Sequence, residues 1–72
     1  MEINIEADLL LAMIADHQID VLDAKILDCL VNRCLSRRAT ARHLRRAEST
    51  VRSRLKRLPA IFNKYLSKRH GF

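Results

Sequence analysis

The chain has one Gly (Gly71), one Pro (Pro59), no Trp and two Cys among its 72 residues. So little Gly and Pro leaves almost no material for the tight turns of β-hairpins. Cys29 and Cys34 are five apart, and no second pair completes a metal site. They read as buried, reduced thiols, which fits a cytoplasmic protein. Long hydrophobic runs are also missing: "ADLLLAMIA", residues 7–15, is too short to span a bilayer. Acids precede it where a secretory signal would carry positive charge, so neither a targeting segment nor a membrane partner is expected. His17, His43 and His70 lack metal-ligand spacing, and no spacing of Ser, His and Asp implies an activated nucleophile. Catalytic residues, bound metals and cofactors are therefore expected to be none.

Acids are scarce in one half only. Residues 32–72 hold one acid, Glu48, against thirteen Lys and Arg, whereas residues 1–31 hold seven acids against one base, Lys25. The formal charge of +6 is thus a −6 half joined to a +12 half. A chain polarised in this way presents a basic working face to an acidic partner. Neutralisation between the halves would still leave a large positive surplus.

What is present is helical. Apolar residues make up 49% of the chain, enough for one small core and one domain, residues 1–72. The first helix is expected over 4–16, capped by Asn4, with Glu6 and Asp8 at its positive end. Leu9, Leu10, Met13 and Ile14 form its apolar stripe, and Ile5 and Leu11 add surface outside that stripe. A second helix over 21–35 is capped by Asp20, with Leu22, Ile26, Cys29 and Leu30 on one face. Ser36 caps a third, short helix over 37–44, and a turn falls at 45–47. Ser49 caps a fourth that runs to Leu58. Pro59 ends it and opens a fifth over 59–69, with Ile61, Phe62, Tyr65 and Leu66 apolar. The last three residues, His-Gly-Phe, are expected to fray. The fold class is all-α: a small four- to five-helix domain with a helix-turn-helix at about 37–58 and no β wing.

The helix-turn-helix follows from spacing. In this motif one helix braces across the DNA backbone and the next enters the major groove. Ala41 is small where the two helices cross, and Leu44 is apolar one turn later. Val51, Leu55 and Leu58 recur at i, i+4 and i+7, the buried face of the second helix. With Val51 set at 0°, Ser53 and Lys56 fall opposite the core, flanked by Arg52 and Arg57. Ser49 and Thr50 sit at the exposed N-terminal end.

The stretch "TARHLRRAESTVRSRLKRL" resembles two families. Glu48, Thr50, Val51, Ser53, Arg54 and Leu55 give the "E-x-T-V-x-S-R-L" look of region 4 of bacterial sigma factors. Ser49, Thr50, Val51, Arg54, Lys56, Arg57 and Leu58 give the "S-T-V-x-x-R-x-K-R-L" of the DNA-binding module of leucine-responsive (feast/famine) regulators. "LDAKILDCL", residues 22–30, is similar to the helix that precedes the module in both, so the resemblance covers about 22–58. It implies DNA binding. Two positions depart from it: Arg45 stands where the turn usually has Gly, and Arg46 where it has an apolar residue, leaving Ala47 to take the apolar role.

Base contacts are accordingly expected from Ser49, Thr50, Arg52, Ser53 and Lys56. Arg52 comes first, because its planar fork matches the O6/N7 edge of guanine. Backbone contacts are expected from Arg37, Arg38, Arg42, Arg45, Arg46 and Arg57. Arg54 flanks the apolar face and is expected to pair with an acid of the N-terminal half, such as Asp23 or Asp28. A homodimer is expected, because one short module buries little surface, with Leu9, Leu10, Met13 and Ile14, or Phe62 and Tyr65, at its interface. The function expected is a cytoplasmic, nucleoid-associated transcriptional regulator of a bacterium, plasmid or phage. It would bind double-stranded DNA and repress by promoter occupancy. The alternative is a basic interaction module docking on an acidic partner such as RNA polymerase or another regulator. RNA ranks third, since three aromatics offer few stacking platforms.

Overall fold

Local capping sets the start of some helices, but not of the first. A computed structural model describes residues 4–70, with side chains placed for residues 4–67. Gly71 and Phe72, from the tripeptide expected to fray, lie outside them. The first helix, α1 (Ala7–Ala15), begins later than its expected start at residue 4. Asn4 does not cap it; Glu6 occupies that position without a side-chain bond. The reason lies 27 residues away. The Asn32 carboxamide accepts from Ile5 N–H at 2.7 Å and donates to Ile5 C=O at 2.9 Å. Those two bonds hold Ile5 outside the helix and bury it.

The second helix, α2 (Val21–Leu27), is closed by a capping box. Asp23 N–H donates to Asp20 Oδ1 at 2.8 Å, and Asp20 N–H donates to Asp23 Oδ2 at 3.1 Å. It then widens into one π-helical turn, Asp28–Asn32, and stops there, short of residue 35. Cys34, at φ 57°, ends the run. The third helix, α3 (Arg37–Leu44), has the expected bounds, and Ser36 Oγ accepts from Ala39 N–H at 3.0 Å. The fourth, α4 (Glu48–Arg57), ends where Leu58 and Pro59 turn extended. A short 3₁₀ turn, Ala60–Phe62, leads into α5 (Asn63–His70).

Among the described residues there is no strand, so this is a small all-α domain. Its radius of gyration, 11.2 Å, is that of one compact body of this length. The core gathers Ile5, Met13, Ile26, Leu30, Val51 and Phe62 from every part of the chain. Leu10, Met13 and Phe62, expected between two copies, are buried inside this one, and Leu9, Ile14 and Tyr65 are half-buried against the same core. Among the described residues, Leu11, Val21 and Ile61 are the large apolar side chains that stay exposed. No helix of the described residues is long and apolar enough to cross a membrane.

Candidate nucleic-acid interface

α3 and α4 meet through the three residues 45–47. The last turn of α3 closes as a Schellman motif: Arg45 N–H donates to Arg42 C=O at 3.2 Å, and Arg46 N–H to Ala41 C=O at 2.9 Å. That geometry puts Arg45 at φ 57° and ψ 46°, the left-handed region that favours Gly. Ala47 is then extended and becomes the N-cap of α4, while Thr50 N–H donates to its carbonyl at 3.0 Å. Two expectations are corrected here. Ser49 is not the cap but lies exposed within the first turn of α4, and Ala47 is exposed rather than packed.

The buried side of the pair matches its spacing. Ala41 and Val51 are buried, and Leu44, Leu55 and Leu58 pack half-buried against the core. This fixes what α4 turns outward: Ser49, Arg52, Ser53, Lys56 and Arg57 are exposed, and Thr50 is half-buried. Arg38, Arg42, Arg45 and Arg46 are exposed on α3 and the turn, and Arg37 is half-buried. Arg37, Arg52 and Lys56 converge on a notch of about 150 Å³ that also reaches Leu55. Its lining is mostly apolar, so the aliphatic stems of these side chains form its walls.

Arg54 differs from its neighbours. It is half-buried, and its Nη1 donates to Asp20 Oδ2 and, at 3.3 Å, to Asp23 Oδ1. The Asp23 N–H bond and then the Arg54 guanidinium hold the Asp20 carboxyl below its ordinary range, and the same contacts raise Arg54. Asp23 was an expected partner. Asp28 was the other, but it accepts from Arg33 Nε at 3.1 Å and Asn32 Nδ2 at 3.0 Å. Asp20 is also an acid of the N-terminal half, though not one singled out in the sequence. The Cys29 thiol is buried as expected, and burial pushes its pKa up, which keeps it protonated. Cys34, also expected to be buried, is exposed, because it lies past the end of the π-helical turn at φ 57°. No protein-family model, curated protein or solved structure matches the chain.

Proposed function

We propose that the chain is a sequence-specific, double-stranded DNA-binding transcriptional regulator, a repressor that acts as a homodimer by occupying a promoter. Its site of action is the bacterial nucleoid, or plasmid or phage DNA in the same compartment. One observation carries this reading: Val51 is fully buried while Arg52, Ser53 and Lys56 are exposed on the same helix. A helix anchored by one face and basic on the other can lie in a major groove. Small Ser49 and Ser53 permit close approach, and Arg52 supplies the bidentate guanine contact. Arg38, Arg42, Arg45, Arg46 and Arg57 hold phosphates and set register, with Arg37 at the notch. Two copies double a contact surface that is small in one.

Selection of bound sequences from a random duplex pool tests this, followed by a salt titration on the winner. An enriched palindrome is expected. Neutralising about five phosphates per protomer gives a log K against log salt slope of roughly −4 to −5. No enrichment and no salt dependence would reject DNA as the partner. The basic face would then fall to an acidic protein such as RNA polymerase.

A further inference from the structure

A wider recess than the notch on α4 lies on another side of the molecule. It is a groove of about 490 Å³ between α1, α2 with its π-helical turn, and the C-terminal end of α3. Leu10, Ile14, Ala24, Cys29 and Leu44 give it an apolar lining. Leu11 and Val21 stand beside it at 63% and 55% exposed, the two most exposed large apolar side chains in the described residues.

The charges around the groove are divided by wall. α1, whose Ala7, Leu10, Leu11 and Ile14 line the groove, carries the acid Asp8 and no base. The opposite wall carries Lys25, Arg33 and His43. Asp28 on that wall is already engaged by Arg33 and Asn32. Lys25 and Asp8 are both exposed, and neither pairs with an opposite charge among the described residues. An isologous two-fold contact needs a patch that contains its own complement. This patch does: an apolar slot with apolar lips, an acidic helix on one side and a free cation on the other.

We infer that this groove is the interface between two copies of the chain, with Leu11 of each copy seated in the groove of the other and Asp8 of each facing Lys25 of the other. A second copy covers the slot together with its most exposed lining side chains, Leu11 and Val21, and brings an acid to the unpaired Lys25. Leu44, which lines the groove, is the last residue of α3, so the contact also fixes the motif relative to its twin. The inference rests on the homodimer in the function proposed above, not on DNA as the partner.

Sedimentation equilibrium of the full chain at micromolar concentration, without DNA, tests it. The expected mass is twice the 8.4 kDa of one chain. Leu11→Glu should return the single-chain mass with unchanged helical circular dichroism. Val21→Glu is the second variant should the first lose its fold. Lys25→Asp should weaken association at least tenfold, and Asp8→Lys combined with Lys25→Asp should restore it. A dimer indifferent to both Leu11→Glu and Val21→Glu would place the interface elsewhere, with Ile61 the exposed alternative. A wild-type monomer that binds the fluorescent probe anilinonaphthalene sulfonate in the groove would make it a small-molecule site and overturn the inference. DNA binding is scored separately: folded, monomeric Leu11→Glu should still bind a single half-site with the wild-type salt slope per protomer. Its failure there would count against DNA as the partner and not against the groove.

Discussion

Arg54 reaches from α4 to the first turn of α2, where its Nη1 lies 3.3 Å from Asp23 Oδ1 and also donates to Asp20. One cation of the basic helix is thereby withdrawn from any external partner and ties α4 to α2. Its two acids are the same pair that closes the α2 capping box, so helix start and interhelical tie form one unit.

That unit makes stability sensitive to acid. The Asp20 carboxyl is lowered from its ordinary 3.8, first by the Asp23 N–H and then by Arg54. A carboxylate with a depressed folded-state pKa adds stability above its unfolded pKa and loses it as pH falls through the folded value. Stability should therefore decline below 3.8. Asp20→Asn keeps a competent N-cap but removes the titration. Chemical denaturation from about pH 6 to about pH 2 should show a shallower acid limb for the variant. Parallel limbs would mean that the tie contributes nothing measurable.

Arg45 sits where a Gly would be more stable. A non-Gly residue in the left-handed region costs about 1 kcal/mol, and Arg45 is at φ 57°. Arg45→Gly should thus raise stability by about 1 kcal/mol. It should also weaken DNA binding and reduce the salt slope by about one. His17, at φ 59° after α1, is the control. His17→Gly should give a similar gain in stability and leave DNA binding alone. Unchanged binding in Arg45→Gly would remove Arg45 from the phosphate contacts.

Thr40 is fully buried on α3, and its Oγ1 has no hydrogen-bond partner. A buried hydroxyl without a partner costs about 1–3 kcal/mol of desolvation. Thr40→Val keeps the shape and removes the hydroxyl, so it should stabilise the fold by about 1 kcal/mol. Thr40→Ser keeps the hydroxyl and opens a methyl-sized void, so it should destabilise by a similar amount, about 1 kcal/mol. Thermal unfolding of both variants decides the matter. A destabilised Thr40→Val would show that the hydroxyl bonds in solution.

The parts of this fold that are legible in the sequence are those fixed by neighbours in the chain. Ser36 bonds three residues ahead, and α3 has the bounds its sequence predicts. Asp20 does the same for α2. The start of α1 is illegible because its cause, Asn32, is 27 residues distant. Asn32 reads as a polar residue off the apolar face, and only the π-helical turn brings it to Ile5. Ser49 fails as a cap for a related reason. The Schellman turn ends at Arg46, so Ala47 is already extended and the helix begins before Ser49 is reached. At the candidate site, burial of Val51 and exposure of Arg52, Ser53 and Lys56 follow from helical period alone. Apolar surface is harder to assign. Ile5 and Leu11 both look surplus in sequence, yet Ile5 is 1% exposed and Leu11 63%. Which one a core takes depends on where the helix starts.

Arg52 and Arg42 offer the sharpest separation of reading from gripping. Both are exposed, but Arg52 lies on the outward face of α4 and Arg42 on α3. A helix placed in the groove brings the first of these to base edges and leaves the second beside phosphate. Arg52→Ala should cost about 1–3 kcal/mol at one base pair of the selected site and relax preference there. Arg42→Ala should weaken selected and random duplexes by the same factor and lower the salt slope by about one. Competition binding with single-base variants of the selected site measures both. Equal loss on selected and random DNA for Arg52→Ala would move the reading role to Lys56, whose exposed amine shares the face and the notch. A change in preference at one base pair for Arg42→Ala would instead bring α3 into the groove and reverse the order of the two helices on DNA.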